Sequence, residues 1–166
     1  MMMPRLGLSV ARFCSAAWVG AAALFVIAGI SEVRSPQLDS TAKDLLVLLR
    51  FPCYYAVGFS LMAAALVGTS VTVMTGNRSR RTQIAAALLL LALLGMFADH
   101  TWIYTPLENH IKKQGPRDAE FESLHEASKW INLATVSVTL IASWLLCLGS
   151  QESRDKSRKS PESRAR

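Results

Sequence analysis

Side chains that can ionise or hydrogen-bond are scarce in the apolar blocks of this chain, so the few that occur there are the candidates for chemistry. Asp99 and His100 close an apolar run that begins at Ile84. Further on, Phe121, His125, Ser128, Asn132, Thr135 and Thr139 recur at steps of three and four, the spacing of one helix face. His110 lies between the two groups. Three imidazoles and a carboxylate could hold a transition metal, and two imidazoles could ligate haem. No His-x₃-His and no paired cysteines accompany them, so the expectation is no cofactor, with haem b or copper as the alternative. His125 beside Ser128 has the types of a base and a nucleophile. A hydrolase also needs an orienting third group and an oxyanion donor, and neither is evident. The reading that remains is a set of hydrogen bonds between helices, with His125, Ser128, Asn132, Asp99 and His100 as the candidate polar site.

The elements that must position these residues are long and apolar. The chain is 51% hydrophobic with a mean hydropathy of +0.28, and the excess is concentrated in four blocks, 13–30, 51–75, 84–104 and 131–148. A membrane span needs about 20 largely apolar residues, and each block approaches or meets that length. The expected fold is all-α, a four-transmembrane-helix bundle over 13–148 with an amphipathic outer loop helix. A short N-terminal segment, 1–12, precedes it and a basic, disordered cytoplasmic tail, 149–166, follows. A cleaved signal peptide with Ala21-x-Ala23 as its box is the competing reading of the first block. Arg12 splits its apolar core and hydrophobicity continues to Ile30, so the block is read as a span.

Local signals divide the rest. Ser40 or Thr41 is placed to cap a helix leading into the second span, and Pro52 to sit in that span's first turn. Tyr54 and Tyr55 fit an interfacial belt. Ala56, Ser60, Ala64, Gly68 and Thr72 recur every four residues, a ridge of small side chains on which another helix can pack closely. Ala16/Gly20 and Ala17/Ala21 echo it in the first span. Such faces also offer a route to homo- or hetero-oligomers. Gly76-Asn77-Arg78 opens a basic turn. Thr105, Pro106 and Glu108 read as a capping box that starts a fresh helix, Gly115-Pro116 as its stop, and Asp118 as the cap of the last. That last helix meets no stop signal until Gly149. Cys14, Cys53 and Cys147 have neither a disulfide framework nor zinc spacing and are expected to be buried, inert thiols.

The net charge of +6 is unevenly placed. Four spans put both termini on one side, which collects eleven bases against three acids; the other side has seven bases against nine acids. The positive-inside rule then puts both termini in the cytoplasm, in the inner membrane if the cell is bacterial. The basic tail suits anionic lipid. No recognition motif accompanies it, so the partner is the lipid bilayer and not nucleic acid. Counting about 20 residues from Ile84 reaches His100–Tyr104, which makes Asp99 and His100 boundary residues on the outward face.

Trp18-Val19-Gly20, Phe51-Pro52-Cys53-Tyr54-Tyr55, Pro106 and the run Phe121, Leu124, His125, Ser128, Asn132 together resemble the transmembrane protein 205-like family, whose bacterial members carry domain of unknown function 4149. The resemblance covers nearly the whole chain except the basic tail. It implies a four-helix integral membrane protein and carries over best to His125, Ser128 and Asn132. It departs at His100, where an asparagine is expected, and at Ala56, where the animal member is polar. The functional expectation is a small, non-enzymatic membrane protein that is an accessory or handles a solute or metal. The alternative is a haem- or copper-binding membrane redox protein.

Overall fold

In the computed structural model, residues 3–75, 79–113 and 119–159 are described, with side chains over 5–75, 79–113 and 119–148. The turn at Gly76–Arg78, the stop at Gly115-Pro116 and the cap at Asp118 lie outside the described residues, as does the end of the tail, 160–166. The elements are α1 (Met3–Arg34), α2 (Ser40–Met74), α3 (Arg80–Asp99), one wider turn of π-helix (His100–Tyr104), α4 (Thr105–Lys112) and α5 (Ala119–Lys159). No strand occurs among the described residues. Four helical stretches are long and apolar enough to cross a membrane: Arg5–Arg34, Ser40–Met74, Arg80–Lys112 and Ala119–Leu148. The all-α four-helix bundle with a short outer helix is therefore the fold.

The helices stand in a ring. α1 packs most extensively on α2 and α3 on α5, while α2 on α3 and α1 on α5 close the circuit. Small residues set the close approaches. A Cβ on Gly68 would lie 2.5 Å from the Gly7 carbonyl oxygen, and one on Gly7 would lie 2.7 Å from that of Gly68, so the α1 and α2 backbones touch there. At Gly58 the missing Cβ makes room for the Trp18 indole, and at Gly95 for the Thr135 methyl. The fourfold stripe on α2 does not stay on one face. Gly68 and Thr72 are buried and Ala64 is half-buried, but Ala56 and Ser60 face outward. Four residues turn a helix about 40° past a full revolution, so five such positions drift by about 160°. The buried face follows the true helical period instead, through Tyr54, Tyr55, Gly58, Met62, Ala65, Thr69 and Thr72. Likewise Ala16 and Gly20 face outward on α1, and Gly7, Ala11, Cys14 and Trp18 turn in.

Caps and prolines depart from the sequence expectation in instructive ways. Asp39, not Ser40 or Thr41, caps α2: its carboxylate accepts the Ala42 N–H at 2.7 Å. α2 then runs straight through Pro52, which sits inside the helix and not in its first turn. The ring removes one hydrogen bond, but twelve residues of helix already precede it, and a proline kinks a helix without ending it when both flanks are packed. Thr105 is not an N-cap either. Its backbone is helical, and both its N–H and its hydroxyl reach the His100 carbonyl, the latter at 2.9 Å. Pro106 has no N–H and would crowd a carbonyl one α-turn back; the widened π-turn relieves that clash and lets the helix continue. At the far end α5 extends to Lys159, past the start of the basic segment. A single glycine costs only about 1 kcal/mol relative to alanine, and Gly149 does not stop the helix.

An apolar core that includes Trp18, Met62, Leu89, Met96 and Leu146 is interleaved with buried polar side chains, and the outer face is rich in large apolar ones. Ser15, Thr69, Thr72, Thr82, Asp99, Ser128, Thr135, Thr139 and Ser143 are buried, while Phe13, Leu24, Ile27, Leu91, Phe97 and Leu140 are exposed. Of the cysteines only Cys14 is buried; Cys53 and Cys147 face outward. On an apolar helix the outer face reads like a core in sequence, which is why all three were expected inside.

Candidate functional site

Four helices bring the site together at the end of the bundle that carries the segments 31–50, 105–113 and 119–129. α2 supplies Tyr54 and Tyr55, α3 supplies Asp99 as its last residue, and α5 supplies Ser128 and Asn132. α1 covers the group with Trp18 and Phe25. Asp99 lies 19 residues beyond Arg80, about 28 Å along the helix. The exposed indoles of Trp102 and Trp130, 73% and 66% accessible, stand one turn or less beyond this level. The depth expected for Asp99 thus agrees with the helix geometry, but its surroundings do not. A boundary carboxylate would reach water, whereas Asp99 is 0% exposed.

Its bonding is asymmetric. One carboxylate oxygen, Oδ2, accepts from the Tyr55 hydroxyl at 2.6 Å and from Asn132 Nδ2 at 2.7 Å. Asn132 Nδ2 also donates to the Ser128 carbonyl at 2.9 Å and contacts Ser128 Oγ at 3.2 Å. Asn132 Oδ1 accepts from the Tyr54 hydroxyl at 2.8 Å. The chain of bonds runs from α2 to α5 to α3 and back to α2, so three helices are tied by one amide and one carboxylate. The other oxygen, Oδ1, is buried without a partner, and so is the Tyr104 hydroxyl. No basic side chain among the described residues pairs with Asp99. The nearest candidate on α2, Arg50, is committed elsewhere. It pairs with Glu32, donates to the Phe25 carbonyl at 2.9 Å and lies over the Phe25 ring at 4.6 Å.

Aromatic rings close the site. Tyr55 meets His100 edge-on at 4.7 Å and Tyr104 at 5.0 Å. Phe51 stacks on Tyr104 at 5.4 Å, and Tyr54 lies between Trp18 at 4.9 Å and Phe25 at 4.4 Å. Across the π-turn Asp99, Ile103, Tyr104 and Leu107 are all buried. Outside the collar, a cleft of about 300 Å³ between α1 and α2 is lined by Phe25, Leu49, Arg50, Cys53 and Val57, with Tyr54 as its inner wall.

The sequence candidates divide accordingly. Asp99, Ser128 and Asn132 come together; the His100 ring packs against Tyr55, Phe59 and Tyr104. His125 is exposed, stacked on Phe121 at 6.4 Å, and His110 meets that same ring at 5.3 Å. Among the described residues no three His, Cys, Asp or Glu side chains stand close enough to share a metal. Lower on the stripe Thr135 and Thr139 are buried, and the Thr139 hydroxyl donates to the Thr135 carbonyl at 2.7 Å. Sequence reasoning missed three participants. Tyr54 and Tyr55 were placed in an interfacial belt and are instead turned inward, and Tyr104 was passed over as a span end. The 3–4 spacing of Tyr55, Gly58, Met62, Ala65, Thr69 and Thr72 was the signal that would have turned Tyr55 inward. Comparison with protein-family models, curated proteins and solved structures returns no match.

Proposed function

We propose that this chain is a multi-pass integral membrane protein, both termini cytoplasmic, that handles a solute at its outward end and does not catalyse a reaction. The membrane part of the reading is supported by four long apolar helices, a lipid-like outer surface, and tryptophans at the level where a span leaves hydrocarbon. Orientation rests on the uneven distribution of arginine and lysine. The residues Phe121, Leu124, His125, Ser128 and Asn132 also support grouping the chain with the transmembrane protein 205-like family.

One observation carries the solute part. Asp99 is enclosed by protein, has no ion-pair partner among the described residues, and keeps one oxygen without a donor. A carboxylate kept only to join helices gains nothing from that arrangement, since a neutral amide could take the same two bonds without the cost of burying charge. Ionisable groups inside a span are rare and costly, and mark pathways and binding sites for ions and substrates. The experiment has two parts. A reporter fused after Arg166 is expected to be active only in the cytoplasm, and activity on the opposite side reverses the orientation. Purified protein is then screened by thermal unfolding against small cationic, anionic and neutral solutes. Stabilisation by one class, lost in Asp99→Asn, is expected; indifference to every solute argues for a purely structural bundle.

A further inference from the structure

We infer that Asp99 is the anchor of a binding site for a single small, hard, monovalent cation of the alkali class. The inference rests on the solute-handling reading and names its ligand. Three features of the site converge on it. The first is charge. Asp99 is wholly enclosed, no Lys, Arg or His among the described residues forms an ion pair with it, and Arg50 is already paired with Glu32. A water molecule would satisfy the open lone pair but leave the charge uncompensated, which is costly away from solvent. One carboxylate and one monovalent ion make a neutral site, whereas a divalent ion would leave a buried positive charge. Glu108, the acid closest in sequence to the collar, is taken by Lys112 at 2.8 Å and adds no second negative charge.

The second is ligand chemistry. Apart from the Asn132 amide nitrogen, which donates to Asp99 and Ser128, the polar side-chain atoms gathered here are oxygens: the Asp99 carboxylate, the Asn132 amide oxygen and the Tyr54, Tyr55 and Ser128 hydroxyls. Oxygen donors select hard cations; soft metals want thiolate or imidazole. The imidazoles at this end of the bundle are packed on aromatic rings, His100 on Tyr55, Phe59 and Tyr104, and His110 and His125 on Phe121. The third is preparation. Two donors already fix Oδ2 and orient the carboxylate, so Oδ1 is presented without rotational freedom. It lies just inside the level of Trp102 and Trp130, close to the outward surface. A preorganised anionic oxygen near the aqueous phase, with no ion-pair partner among the described residues, is the arrangement that replaces part of an ion's hydration shell.

The test uses the full chain purified in detergent with choline chloride as the only salt. Lithium, sodium and potassium replace choline at constant ionic strength while unfolding temperature is read from intrinsic fluorescence. At least one alkali ion is expected to raise it saturably by a few degrees, as mass action on the folded state requires. Glu108→Gln, an acid outside the site, keeps the response; Asp99→Asn loses it. If Asp99→Asn does not fold, alkali-minus-choline infrared difference spectra of the wild type decide. A carboxylate band and a tyrosine ring band should shift together, because Tyr55 is bonded to Asp99. No difference between choline and any alkali ion, equal responses in Asp99→Asn, or a response abolished by Glu108→Gln each overturn the inference. Stabilisation by an organic cation, an anion or a neutral solute but by no alkali ion overturns it while leaving the solute-handling reading standing.

Discussion

Replacing Asn132 with leucine gives a direct test of whether the polar network holds the bundle together. The substitution preserves volume roughly and removes both ends of the amide at once. Asp99 loses one of two donors on Oδ2, a bond to a charged group of the kind that contributes about 1.5–3 kcal/mol. The Tyr54 hydroxyl loses its acceptor and is left enclosed between Trp18 and Phe25, at about 1–2 kcal/mol. Hydrogen bonds between helices in lipid average nearer 0.6 kcal/mol because the separated helices find other partners. Leucine also recovers roughly 1 kcal/mol of apolar contact. The net expectation is a loss of about 1.5–3 kcal/mol. Reversible unfolding in mixed micelles would measure it, with Tyr54→Phe and the double variant completing a cycle. Tyr54→Phe alone removes one bond and should cost less, about 0.5–1.5 kcal/mol, with a coupling near 1 kcal/mol between the two sites. An Asn132→Leu loss below about 0.5 kcal/mol, or no coupling to Tyr54, would refute the view that this amide joins α2, α3 and α5.

Three further outcomes are expected. Gly68→Ala should destabilise by about 1–3 kcal/mol, because a Cβ there lies 2.5 Å from the Gly7 carbonyl and overpacking is resisted. Gly20→Ala, which meets nothing within 4 Å, should be neutral or slightly stabilising by helix propensity; equal effects at both sites would contradict the α1–α2 crossing. Cys53 and Cys147 should label with a small lipid-soluble maleimide in the folded protein while Cys14 is protected until unfolding, and rapid labelling of Cys14 would mean that α1 is not seated as described. The purified protein should show no Soret band and no stoichiometric copper; either signal would favour the redox alternative.

Much of the fold was legible because hydrophobic length is a property of the chain itself. Blocks of about 20 apolar residues can satisfy their backbones in hydrocarbon only as helices, so element number and class follow from composition. Helix ends were less legible. Pro52 and Thr105-Pro106 carry the usual marks of a helix start, and both are overridden because packed flanks on each side keep the helix going. The site was half legible. Ser128 and Asn132 could be found by their step of four on α5, and Asp99 by its charge, but nothing local revealed that Asp99 is sealed. That depends on Tyr55, 44 residues away.

The sequence by itself therefore determined four apolar helices, their approximate limits and the uneven charge at their ends, because burying backbone and placing charge are governed by local composition. Only the tertiary structure decided which face of each helix turns in. On helices apolar all round, hydrophobicity cannot distinguish core from surface, and the choice falls to close packing at Gly7, Gly58 and Gly68 and to the few polar groups that need partners. Asp99, Asn132, Tyr54 and Tyr55 find each other for that reason, and their meeting turns a residue at a span boundary into an enclosed carboxylate with one oxygen open.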